Sequence, residues 1–184
     1  MQKKSSKAPS EALNRLVCTA LLIALQVVLS RFLSVQLWNL KIGFSFIPVI
    51  IAARLFGPFY SITVYAVGDV IGTLLFPTGA YFPGFTLSAA LSGLIYGMFL
   101  NKKSTVPRII LSAVLNQLIC SLLLNTYWIS YISGAPFLAQ LSVRWPQSVL
   151  MCVVQIVLML AGLEKICVPI EKVISKRSKQ KTAL

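Results

Sequence analysis

Histidine is absent from this chain and carboxylates nearly so: Glu11, Asp69, Glu164 and Glu171 are the only acids, against 17 lysines and arginines. With no imidazole, and with Glu11, Glu164 and Glu171 at the margins of the apolar body, paired-carboxylate catalysis is not expected, and an enzyme is the least expected class. Cys18, Cys120, Cys152 and Cys167 show no C-x-x-C spacing. Metal ligation and thiol chemistry therefore lack a framework, and the cysteines read as small packing residues. Walker, Rossmann and H-E-x-x-H motifs are missing, as are internal repeats.

Charge of either sign is scarce as well. Only 11% of the residues are charged while 57% are hydrophobic, where a globular chain has about a quarter charged. No charge interrupts the sequence between Asp69 and Lys102 or between Arg108 and Arg144, and each interval is long enough for more than one crossing of roughly 20 residues. The chain is therefore read as an all-α integral membrane protein, a single transmembrane domain over residues 1–184 with basic tails at 1–12 and 174–184. A net charge of +13 would point to nucleic acid in a soluble protein. Here the positive charge lies at helix ends and in the tails, where it suits an anionic inner leaflet, and no nucleic-acid partner is expected.

What is present can be ordered by its lysines and arginines. Six apolar stretches are expected, near Leu13–Phe32, Lys41–Phe56, Phe59–Phe76, Phe85–Leu100, Val106–Ile132 and from Pro146 past Glu164. With the N-terminus inside, the inner loops and tails hold all the cations except Arg31, Lys41 and Arg144. Translocation disfavours Lys and Arg in short outer loops, so both termini are placed in the cytoplasm. The first stretch follows Lys3, Lys4 and Lys7 like a signal peptide, but no small-x-small cleavage site follows, and it is kept as a helix. Pro48 predicts a kink or a tilted, buried second helix, and Pro146 suits a first helical position. Small residues from Ser88 to Gly97 predict close packing of the fourth helix.

The three outer cations admit two readings, snorkelling to the interface or binding an anion from outside. Helices 2, 4 and 6 begin at the same face, and their N-termini add positive potential there, which favours a pocket for a carboxylate-bearing solute. Aromatics crowd this level, among them Trp38, Phe44, Tyr81, Phe82, Phe85, Tyr127, Trp128 and Trp145. They fit an interfacial belt, or stacking on a flat heteroaromatic ligand. Asp69, the one acid well inside the apolar body, must meet a donor; an Arg, Asn116, Gln117 or Tyr65 would give a structural pair, and recognition of ligand N–H groups or a proton-coupled step would give a functional one. Asn116 and Gln117 can serve as interhelical glue, whereas Asn125 lies further out and can face the pocket. Ala20-x-x-x-Ala24 forms a flat stripe that serves packing or a partner.

Several blocks carry a resemblance: Leu29-Ser-Arg-Phe-Leu33, Lys41-Ile-Gly-Phe-Ser-Phe-Ile-Pro48, Asp69-Val-Ile-Gly-Thr-Leu-Leu-Phe-Pro77, Tyr81-Phe-Pro-Gly-Phe-Thr-Leu-Ser88, Asn125-Thr-Tyr-Trp128 and Arg144. Together they resemble the folate-specific substrate-binding (S) components of energy-coupling factor (ECF) vitamin transporters. The resemblance implies a six-helix, multi-pass vitamin-capture protein of a bacterial cell membrane. It implies no cofactor in this chain, since ATP is hydrolysed by two partner ATPase subunits, and association with a transmembrane coupling subunit through the Ala20 and Ala24 stripe. The substrate site it implies draws on Arg31, Trp38, Lys41, Phe44, Asp69, Phe85, Asn125, Trp128 and Arg144. Folate carboxylates would meet some of the three cations and its rings the aromatics. An S component for riboflavin or pantothenate, and a stand-alone transporter using Asp69 as a proton site, are the alternatives.

Overall fold

The computed structural model describes residues 7–37, 40–77, 81–101 and 105–162. Helix α1 (Lys7–Arg31) leads into two short strands, β1 (Val35–Leu37) and β2 (Leu40–Ile42). Helices α2 (Phe46–Phe56), α3 (Pro58–Leu75) and α4 (Pro83–Leu100) follow. A continuous rod then comprises α5 (Val106–Leu115), a π-helical stretch (Asn116–Leu124) and α6 (Asn125–Ser133), and α7 (Phe137–Gly162) completes the bundle. Among the described residues, five helical spans are long and apolar enough to cross a membrane. The exception is α2, whose 11 residues reach only about 16 Å, half of a hydrocarbon core. It is instead the centre of the protein, with Phe46, Val49, Ala52 and Ala53 sealed from all sides.

Three sequence expectations are corrected. The all-α class holds for the bundle, but the connection between the first two helices is a short hairpin: β1 and β2 pair antiparallel with Val35 opposite Ile42, Gln36 opposite Lys41 and Leu37 opposite Leu40. Three-residue strands are too short for a period-2 pattern to stand out from an apolar run, so Lys41 was expected in a helix and lies in a strand. The second helix therefore starts at Phe46, and Pro48 falls in its first turn, where a missing N–H leaves no bond broken and no kink is needed. The last helix begins at Phe137 and carries Pro146 in its interior; a long apolar helix absorbs one absent backbone bond, as membrane helices commonly do. The expected course of that helix beyond Glu164 and the basic tails at 1–6 and 174–184 lie outside the described residues.

Helices α3 and α4 make the tightest contact. The α2 to α3 turn needs Gly57, whose φ of +92° is left-handed, and Pro58 then opens α3. Across from it, a Cβ on Gly93 would stand 2.7 Å from the Ser61 carbonyl oxygen, and one on Gly97 would run into the backbone of Pro58. The Ser61 hydroxyl donates to the Gly93 carbonyl at 2.6 Å. Backbones approach this closely only without side chains between them. Val64, Tyr96 and Leu100, all fully buried, extend this contact into one core with Val49, Ile109, Ala113 and Met159. At the other end of α3 and α4 the packing opens into a cavity.

Candidate functional site

The cavity measures about 450 Å³ and is walled by α1, the entry to α2, α3, α4, the π stretch, α6 and α7, a size in the ordinary range for small-molecule sites. Arg31, Asp69, Phe85, Asn125 and Arg144 all line it. Arg31, the last residue of α1, donates from Nη2 to the Thr73 hydroxyl at 2.6 Å, and that hydroxyl donates in turn to the Asp69 carbonyl at 2.8 Å. Gly72 leaves room for this guanidinium: a Cβ there would lie 3.0 Å from Arg31 Nε. The fork is thus held against α3 with its position fixed before any ligand arrives.

Asp69 sits one turn before Thr73 and faces the same space. Its Oδ2 accepts from the Thr86 hydroxyl of α4 at 2.9 Å, and Thr86 lies 3.3 Å from the Tyr81 hydroxyl. The donor expected from the sequence was an Arg, Asn116, Gln117 or Tyr65; the hydrogen bond found is to Thr86, which helix 4 brings alongside because α3 and α4 pack so closely. Asp69 is consequently anchored while still lining the cavity. Arg144 of α7 also lines the cavity, and its Nη1 is buried with no hydrogen-bond partner among the described residues. A buried guanidinium N–H without an acceptor costs several kcal/mol of lost hydration at most and about one at least, and an incoming anion reverses that cost.

Aromatic residues close the same end. Phe82 and Phe85 line the cavity and meet edge to face, with centroids 6.1 Å apart. Trp128 does not line it but supports those that do, stacking 5.5 Å from Phe82 and donating from Nε1 to the Ser88 hydroxyl at 3.0 Å. Gly84 permits that approach, since a Cβ there would stand 2.6 Å from Trp128 Cδ2. Phe44 is half-buried between the lining residues Gly43 and Ser45 without lining the cavity itself. Trp145 is 54% exposed and Tyr127 52% exposed, on the outer surface of the bundle. Trp38 and the side chain of Lys41 lie outside the described residues.

Sequence reasoning passed over two amides and assigned Asn116 to helix packing. Gln26 of α1 and Gln155 of α7 are buried, line the cavity and present side-chain oxygens without a partner, as do Asn116 and Asn125. A spacing signal existed: Arg144, Gln147, Met151 and Gln155 recur at intervals of three and four, one face of a helix that is otherwise apolar. Four unpaired acceptors around one cavity is far from the usual satisfaction of buried polar groups, and marks a site completed by something else. The helix N-termini contribute less than expected, because Phe137 starts α7 about 10 Å along the axis before Arg144, leaving only the entries to α2 and α4 at the cavity. Among the described residues no cluster of His, Cys, Asp or Glu could hold a metal ion. Ala20 and Ala24 are exposed on the outer face of α1, away from the cavity.

Comparison with known proteins is consistent with this geometry. Residues 14–163 match the family described as ECF transporter, substrate-specific component. The Folate transporter FolT of Clostridium novyi (strain NT) is 43% identical over 122 residues, 66% of this chain and 71% of that protein. The Folate transporter FolT of Leuconostoc mesenteroides subsp. mesenteroides is 37% identical over 115 residues, 61% of this chain and 62% of that one. A solved structure, described as the crystal structure of FolT bound with folic acid, superposes with a TM-score of 0.72 at 39% identity, covering 77% of this chain and 87% of that chain. This chain belongs to the family of substrate-specific components of ECF transporters, membrane proteins that are transporter subunits and not enzymes.

Proposed function

We propose that this S component captures folate at the outer face of a bacterial cell membrane and delivers it inward with an ATP-driven ECF module. The observation that carries the reading is the cavity itself, cationic and amide-lined within an apolar bundle, in a chain similar to proteins named folate transporters and to one solved with folic acid. Folate is a dianion joined to a flat heterocycle rich in hydrogen-bonding groups. Its carboxylates fit the guanidinium groups of Arg31 and Arg144, with Lys41 as a third cation, and its rings fit Phe82 and Phe85, which Trp128 backs; Phe44 and Trp38 are the further aromatics that the sequence offers. Asn125 and Asp69 suit ring donors and acceptors.

The distribution of Lys and Arg favours both termini in the cytoplasm, which turns the cavity outward. The chain supplies capture; energy comes from partners, a transmembrane coupling subunit and two ATPases. The exposed Ala20 and Ala24 offer that coupling subunit a flat surface for close helix approach.

The test is folate uptake into vesicles holding this chain with and without its module. Uptake should require both the module and ATP. Ala20→Trp should leave folate binding intact and abolish uptake. Uptake without the module, lost in Asp69→Asn, would replace this reading with a proton-coupled stand-alone transporter, and a purified chain that binds riboflavin or pantothenate in place of folate would reassign the vitamin.

A further inference from the structure

Nine consecutive residues of π-helix, Asn116–Leu124, form one wall of the cavity. A π stretch is rare and costs hydrogen-bond geometry, so one of this length in the middle of a membrane span calls for a reason. The reason is legible in which residues face where. Asn116, Gln117, Cys120, Ser121 and Asn125 line the cavity, while Leu118, Ile119 and Leu123 are exposed on the outer side. From Asn116 through Cys120 and Ser121 to Asn125 the lining face returns twice in nine residues, a wider turn than the 3.6 residues of an α-helix and the one that i→i+5 bonding gives.

The consequence falls on Asn125. In an α-helix the step from Asn116 to Asn125 is about two and a half turns, which would put the two amides on opposite sides of the rod. One of them would then face lipid, where an unpaired amide is strongly disfavoured. The wider π turns bring both to the same wall, no more than about 13 Å apart along the axis. Neither amide is used up there: the side-chain oxygens of Asn116, 5% exposed, and of Asn125 are buried without partners. Helix glue is supplied by their neighbour instead, since Gln117 Nε2 donates to the Ser148 carbonyl of α7 at 3.1 Å and pins the π stretch in place.

We propose that the π register is a ligand-reading device: it turns Asn116 and Asn125 to one wall, so that their amides hydrogen-bond in sequence along a single elongated ligand. This rests on the folate reading for the identity of the ligand, whose heterocycle and benzamide linkage offer hydrogen-bonding groups at two separated places. Asn116 is thereby a binding residue and not an interhelical tie.

Single cysteines at positions 116–125, placed by turns in the chain with its native cysteines replaced by alanine, test this with a small water-borne thiol reagent, with and without folate. The expected result is reaction at 120, 121 and 125, silence at 119 and 123, and protection of the reactive positions by folate. Asn116→Leu and Asn125→Leu, each with unchanged or raised thermal stability of the ligand-free protein, should each weaken folate binding about tenfold or more. Reaction at 119 and 123 in place of 121 and 125 would overturn the register. Wild-type affinity in both leucine variants would overturn the role of the amides. A chain with the expected reactivity that binds no folate would keep the register and remove folate as the ligand it reads.

Discussion

The two ends of helices α3 and α4 obey opposite rules. At one end Gly93 and Gly97 press against Ser61 and Pro58 with a hydroxyl-to-carbonyl bond between them, and Tyr96 and Leu100 are wholly enclosed. At the other, Arg144, Gln26, Asn116, Asn125 and Gln155 carry buried polar atoms that nothing among the described residues satisfies. The first end leaves one such atom, the Tyr96 hydroxyl; the second gathers several around one cavity and is unfinished without a ligand. Stability is concentrated where small residues let backbones touch, and it holds open a cavity whose polar lining weakens the ligand-free fold. Binding and stability should therefore respond to mutation in opposite senses at the two ends.

The largest separation is expected from Arg144→Met. It removes a buried cation that lacks an acceptor on Nη1, so folate affinity should fall by about a hundredfold while the Tm of the ligand-free protein stays level or rises. At the packed end, Gly93→Val should do the reverse. The added side chain meets the backbone of Ser61 and Ile62, and the loss should be about 2–3 kcal/mol of stability by thermal unfolding, with the folded fraction still binding folate normally.

Smaller changes sharpen the contrast. Gln155→Leu, which deletes an unpaired acceptor, should raise the ligand-free Tm slightly and weaken folate about tenfold, read by calorimetric titration. Thr86→Val takes away the donor to Asp69 Oδ2 and should cost about 1–2 kcal/mol of stability, with binding falling as well because Asp69 lines the cavity. Trp128→Phe keeps the ring against Phe82 and loses the bond to Ser88; about 1 kcal/mol, or fivefold in affinity, is expected.

Much of this was legible in the residues, and the physical reason differs from place to place. The long spans follow from uninterrupted apolar sequence, and the closeness of α3 and α4 from the glycines at 93 and 97. Arg31, Asp69, Asn125 and Arg144 stood out because each is costly in an apolar setting, and Phe85 because aromatics crowd the same level; the fold gathers them at one cavity. The hairpin at Val35–Ile42 was hidden because three residues carry no period. The π stretch was hidden because helical phase read at 3.6 residues per turn is wrong by half a turn after nine residues, which is also why Asn116 read as glue. Gln26 and Gln155 escaped notice because each lies in an apolar segment, and becomes part of a polar lining only when the fold sets α1, α7 and the π stretch around one cavity.

The most direct test of the account is a folate titration of the purified, detergent-solubilised chain by tryptophan fluorescence, run with Arg31→Ala and Arg144→Ala and paired with the melting curve of each ligand-free protein. Tight binding by the wild type, lost in the Arg144 variant without loss of Tm, is the expected outcome. A well-folded wild type that binds no folate, or an Arg144 variant that unfolds early and binds normally, would contradict it.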